Sequence, residues 1–156
     1  MNTKGQITAE YILLLVVIFI VLISTSNIIQ QESEKNIILT SAQIGAQIGV
    51  DKNGYAMYYN DTFNNYQNNY PKLLKTTEIK VIKINMYEQD KDIILEVVLH
   101  SNSYLTNNEK YIVGSRVNYY VRKTISETFD LISTDTYYNQ IYTENYKIET
   151  KIVKWV

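Results

Sequence analysis

The sequence predicts an α+β chain: one long N-terminal helix, first hydrophobic and then amphipathic, followed by a small antiparallel β-sheet domain. Three observations carry this. Twelve consecutive Ile, Leu, Val and Phe residues run from Ile12 to Ile23. Apolar residues then recur at helical spacing to about Val50, with no proline before Pro71. Beyond Pro71 the pattern changes to alternating and continuous short apolar runs, the signature of strands. The divisions that follow are a leader at 1–5, a helix at 6–53, a Tyr- and Asn-rich loop at 54–77 and a strand-rich outer domain at 78–156. Within the helix, 6–27 is the uniformly apolar part and 28–53 the amphipathic part.

Residues Tyr11–Gln31 carry no charge, and these 21 residues match the length a bilayer core requires. On an insertion scale the Ile12–Ile23 run contributes roughly −4 to −7 kcal/mol. That offsets one carboxylate, Glu10, near the end of the span. Lys4 precedes the span and Glu32 and Glu34 follow it, so the C-terminal domain is expected outside. Ser24–Ser26 lack the small-residue pattern of a secretory cleavage site. A helix over Gln6–Val50 would extend about 68 Å at 1.5 Å per residue, more than a membrane needs. Its second half places Ser41, Gly45 and Gly49 on one line and Ala42 and Ala46 on the next, a spacing that lets another backbone approach. The chain's own sheet is the expected neighbour, with toleration of the glycines as the alternative.

Asp51-Lys-Asn-Gly reads as a turn or helix break. Tyr55–Tyr70 is aperiodic and contains Asn60-Asp61-Thr62, the chain's N-x-[ST] sequon and a candidate glycosylation site at Asn60. Glu78–Tyr87 alternates with a phase slip at Val81–Ile82, which predicts a bulge. Ile93–Leu99 is a near-continuous apolar run suited to a central strand. Glu88–Asp92 between them suits a hairpin loop. Tyr111–Arg122 reads as a strand, with Val113, Val117, Tyr119 and Val121 on one face and Arg116, Asn118 and Arg122 on the other. Ile125–Ile132 fits a short helix or a strand. Tyr146–Val156 reads as the last strand, with Ile148 and Ile152 opposite Lys147, Glu149 and Lys151. Four or five antiparallel strands against the outer half of the helix is the economical arrangement, a separate sandwich or barrel the alternative.

The formal charge is −1, without a basic block, so no nucleic-acid partner is expected. Cysteine is absent, which excludes disulfides and thiolate metal sites. No nucleophile motif, phosphate loop or metal-ligand spacing occurs, so neither a cofactor, a metal nor an enzymatic activity is expected. His100 ends an apolar strand and reads as structural.

"KGQITAEY", Lys4–Tyr11, with the apolar run behind it, resembles the class III signal peptide of archaeal type IV pilins. That pattern has a short basic leader ending in glycine, a hydroxyl-bearing residue, Glu at the fifth mature position and an aromatic next. Thr8, Glu10 and Tyr11 occupy these places, Thr8 standing where serine is commoner. Related archaeal flagellar subunits typically lack that glutamate. The resemblance covers about residues 1–30 and implies the following. A prepilin peptidase cuts between Gly5 and Gln6 at the cytoplasmic face, with Lys4 as the leader's charge. The apolar segment stays on the mature protein, anchors it in the membrane with its N-terminus cytoplasmic, and then enters a surface filament of identical or related pilin subunits. The filament, major or minor pilin alike, serves attachment to surfaces.

A residue-level argument runs beside the resemblance. Cleavage would create an α-amino group at Gln6, mostly protonated at neutral pH. A carboxylate among apolar helices is costly unless paired. A neighbour's terminal ammonium would pair Glu10 and set the subunit register, with Tyr11 beside it, in the non-closing contact a filament requires. The alternative for Glu10 is a favourable place near a helix N-terminus. At the level of the whole chain the alternatives are a bitopic membrane protein with a binding ectodomain, or a secreted hydrolase cut after Ser26.

Overall fold

The computed structural model describes residues 3–52, 67–75, 77–131 and 140–156, with side chains from residue 10 onward. The chain divides into two compact units, Met1–Ile37 and Ile38–Val156. The α+β class holds: a long N-terminal helix precedes a small five-stranded sheet. Helix α1 is continuous over Thr3–Asp51. Strand β1 spans Ile79–Gln89 and β2 Asp92–Ser101. Helix α2 spans Asn107–Thr128, followed by β3 (Ile141–Tyr142), β4 (Lys147–Thr150) and β5 (Lys154–Trp155).

β1 and β2 form an antiparallel hairpin, with Ile84 opposite Val97 and Gln89 opposite Asp92. The register shifts between Val81 and Lys83, where the sequence slips phase. Asp90 and Lys91 make the turn, and Asp90 takes a left-handed φ of 55°, which Asp tolerates better than most residues. β2 is the central strand. Its Ile93, Leu95, Val97 and Leu99 are fully or almost fully buried and alternate with Ile94 and Glu96 on the other face.

The sheet is mixed, not purely antiparallel. β2 pairs parallel with β4, Ile93 facing Ile148, and with β5, Leu99 facing Trp155. A parallel pair requires a crossover, usually helical. That crossover is α2, and it corrects the strand expected over Tyr111–Arg122. Val113, Val117, Val121 and Ile125 lie four apart and are all completely buried, which is one stripe of a helix. Arg116, expected on a solvent face, is 2% exposed. The helix starts at a capping box. Glu109 N–H donates to Thr106 Oγ1 at 3.3 Å, and Thr106 N–H donates to Glu109 Oε2 at 2.8 Å.

Tyr146–Val156 is likewise two short strands with a break at Lys151–Val153. The break shifts the phase, so Ile148 and Val153 point inward and Ile152 is 79% exposed instead of sharing Ile148's face. Lys151 N–H donates to Leu95 O at 2.8 Å, and Asn118 Nδ2 donates to Lys151 O at 2.7 Å. The backbone N–H and C=O of Lys151 are thereby satisfied from the sheet on one side and from α2 on the other.

The glycine stripe meets α2, not the sheet. A Cβ on Gly45 would lie 2.8 Å from Val121 Cα, and one on Gly49 would lie 2.7 Å from Val117 Cα. Ser41 Oγ donates to Thr128 Oγ1 at 3.0 Å on the same line. One turn face over, Ile38, Ala42 and Ala46 are completely buried.

Candidate functional site

Two regions carry chemistry or contact potential, and each lies within one unit. In the first unit, Tyr11 is 68% exposed and every side chain from Ile12 to Ile23 is between 44% and 68% exposed. The exposure surrounds the helix. Leaving one large aliphatic side chain half exposed in water forgoes roughly 1 kcal/mol. A run of twelve therefore calls for an apolar surround, from lipid or from other protein. α1 is long and apolar enough to cross a membrane.

Ser24 and Thr25, at the end of the run, hide their hydroxyls within the helix. Ser24 Oγ donates to Ile20 O at 2.8 Å and Thr25 Oγ1 to Val21 O at 3.0 Å. Such back-bonding removes the penalty of a hydroxyl in apolar surroundings.

Glu10 lines one shallow groove with Leu13, Leu14, Val17 and Ile18, at spacings of three and four residues. Helix α1 begins at Thr3, upstream of Gln6. Glu10 is then the eighth helical residue, beyond the first turn where the macrodipole acts. A helix starting at Gln6 would bring it to the fifth. The Gly5–Gln6 bond lies inside the helix as it stands. The side chains of Lys4, Gly5, Gln6 and Thr8 lie outside the described residues. So do Asn60 and the sequon around it.

In the second unit, a small open cleft of about 160 Å³ separates α2 from the β4–β5 break. Tyr111, Ser115, Asn118 and Arg122 line it from the helix, at spacings of four, three and four, so they form one stripe. Thr150, Ile152 and Val153 line it from the opposite side. Gly114 keeps the walls close, since a Cβ there would lie 3.1 Å from Val153 Cβ. Arg122 Nη1 donates to Thr150 Oγ1 across the cleft. Asn118 is 8% exposed, and with Nδ2 committed to Lys151 O its Oδ1 is buried without a donor. An unmade hydrogen bond at a buried acceptor costs about 1–3 kcal/mol. Tyr111 and Ile152 stand exposed at the rim.

Apart from these two regions, a polar cluster decorates the sheet's other face. Glu96 accepts from Asn85 Nδ2 at 3.0 Å and from Tyr87 Oη at 3.2 Å. The Asn85 bond, followed by the Tyr87 bond and the charges of Lys154 and Lys151, holds its carboxyl below the ordinary 4.5 against opposing desolvation. The Tyr87 phenol is pushed above 10.0, chiefly because it donates to Glu96. Lys151 Nζ lies 4.9 Å from the Tyr87 ring centroid, a cation–π contact. Nearby, His100 has Nδ1 2.7 Å from Val156 O and Nε2 3.1 Å from Asn102 Oδ1, so both ring nitrogens are engaged. Among the described residues no group of three or more His, Asp or Glu side chains could hold a metal ion.

The cleft residues are hidden in the sequence because Tyr111–Arg122 also fits the alternation of a strand. Thr106-x-x-Glu109 is the signal that finds them, for a capping box ahead of valines four apart marks a helix. No protein-family model matches this chain, and no curated protein or solved structure matches it.

Proposed function

We propose that this chain is a structural subunit of a type IV pilus-like surface filament, cut by a prepilin peptidase between Gly5 and Gln6. The observation that supports this best is the Ile12–Ile23 run, exposed on all sides and headed by Glu10. An ordinary anchor needs the apolar run but gains nothing from the carboxylate. A subunit that moves from lipid into a bundle of like helices uses both. The run supplies lipid solubility and then helix packing. Glu10 supplies a partner for the α-amino group of a neighbouring Gln6, and Tyr11 flanks that contact.

Under this reading the uncut chain sits in the cell membrane with its N-terminus cytoplasmic, and the assembled filament lies outside the cell. Its partners are the peptidase and identical or related subunits. The outer domain faces the surroundings and serves attachment.

N-terminal sequencing of the protein isolated from its own cells tests the claim. A mature start at Gln6, together with filaments in electron micrographs that vanish when the chain is deleted, is the expected result. A start at Met1 with no filament loss assigns the chain instead as a bitopic membrane protein. A start after Ser26 assigns it as a secreted protein whose helix was a signal.

A further inference from the structure

The described sheet ends on two strands of very different length. β3 at one end has two residues, while β1 at the other has eleven and pairs with β2 alone. An open edge strand offers main-chain N–H and C=O groups to any strand that can add to it, and proteins blunt such edges with lysines, bulges or proline. In β1 that blunting is confined to the first half. Lys80, Lys83 and the register shift between Val81 and Lys83 all lie there. Ile84–Tyr87 keeps an unbroken register and has no lysine or proline.

The bonding of β2 fixes which groups of β1 are open. Leu95 O accepts from Lys151 N–H and Leu99 O from Val156 N–H, so the odd-numbered residues of β2 bond toward β4 and β5. Its even-numbered Ile94, Glu96 and Val98 therefore bond β1, through Tyr87, Asn85 and Lys83. Ile84 and Met86, opposite Val97 and Leu95, turn their own N–H and C=O groups to the free edge. Among the described residues no main-chain group bonds them there. The side chains alternate in the same way. Ile84 and Met86 pack against the core, while Asn85 and Tyr87 stand on the other face and both donate to Glu96.

We propose that the open edge of β1 docks the β1 strand of a second copy of this chain, antiparallel, with Asn85 facing the partner's Asn85 across a twofold axis. Ile84 then meets the partner's Met86, and Lys83 meets the partner's Tyr87. This register uses only the open groups of Ile84 and Met86, in two reciprocal pairs of main-chain bonds. Apolar side chains meet on the core face, and no like charges meet on the other. Sliding the strands by two residues one way sets Met86 against Ile82, inside the register shift. Sliding them the other way sets apolar Ile84 against Glu88. The contact is the same patch on both copies and closes on itself, so it joins chains in pairs and does not rest on the filament reading. So short a ladder buries less than the ~1,200 Å² of a standard interface, and it holds chains already concentrated in one membrane.

The chain has no cysteine, so an introduced one reports a single position. Asn85 falls in a non-hydrogen-bonded pair of the new ladder, where Cα atoms lie about 4.5 Å apart, within reach of a disulfide. The test is oxidation of the full-length Asn85→Cys chain in phosphatidylcholine vesicles, with dimer scored on non-reducing gels. Ile152→Cys, at a position 79% exposed, is the collision control. Dimer is expected at least about tenfold faster from Asn85→Cys than from Ile152→Cys, although Ile152 is the more exposed. Lys83→Cys and Tyr87→Cys chains are expected to cross-link when mixed and not singly, because each position faces the other across the ladder. That arm leaves Asn85 and its bond to Glu96 in place. Equal rates for Asn85→Cys and Ile152→Cys overturn the proposal. So does a mixture of Lys83→Cys and Tyr87→Cys chains that cross-links no faster than either chain alone.

Discussion

A Cβ built on Gly45 would lie 2.5 Å from the carbonyl oxygen of Tyr120, so α1 and α2 meet there backbone to backbone. The obstacle is main chain, which cannot rotate aside as a side chain can. Gly45→Ala would gain roughly 1 kcal/mol of helix propensity and lose more to displacement of α2. The expected net effect is a destabilisation of about 1–3 kcal/mol, read from thermal unfolding followed by circular dichroism in micelles. A higher melting temperature than wild type would show that the helices do not approach this closely.

Thr106→Ala removes the side-chain acceptor at the start of α2 and half of a reciprocal capping pair with Glu109. The expected loss is about 1 kcal/mol. Because α2 carries Asn118 and Arg122, amide exchange of its first turn should accelerate before that of β2. Unchanged exchange would mean the cap contributes nothing.

The Glu96 carboxyl is held below its ordinary 4.5, first by the bond from Asn85. A depressed carboxyl contributes stability that is present above about pH 4.5 and is lost as pH falls through the lower folded value. Tyr87 works at the other end of the scale. Its raised value means the protonated phenol is favoured in the fold, so stability declines as pH climbs past 10.0. Urea midpoints measured across both limbs should fall at each end. Glu96→Gln should flatten the acid limb and return the Tyr87 titration toward 10.0. An acid limb identical to wild type would assign the loss to other carboxylates.

Glu10→Gln keeps the shape of the side chain and removes its charge. If a neighbour's α-amino group is its partner, that ammonium is left buried and unpaired, at a cost of about 3–5 kcal/mol. Subunit incorporation should drop by more than about a hundredfold while membrane levels of the processed chain stay normal. Counting filaments against immunoblots of the membrane fraction separates the two. Filaments at wild-type density would remove the pairing role from Glu10.

Several elements were legible because a single local pattern decides them. The Ile12–Ile23 run admits no soluble strand or loop. The slip at Val81–Ile82 became the register shift between Val81 and Lys83. Ile93–Leu99 became the buried centre of β2, and the polar residues before it became the hairpin turn. Each of these is a near-neighbour effect, set by side-chain alternation and turn chemistry within about ten residues.

Tertiary structure alone decided the rest. Val113, Val117 and Val121 stand four apart, a spacing that satisfies both the period of a strand and nearly that of a helix. Only contact with the glycine face of α1 distinguishes them, since Gly45 and Gly49 admit a helix backbone at distances no side chain would allow. Once α2 is a helix it becomes the crossover, and β4 and β5 can join β2 in parallel. The break at Lys151–Val153 then turns Ile152 outward and opens the cleft. Local sequence by itself determined the apolar helix, its carboxylate and the hairpin. The mixed sheet, the helix–helix seam and the cleft exist because distant segments meet, and their cost and benefit appear only in that meeting.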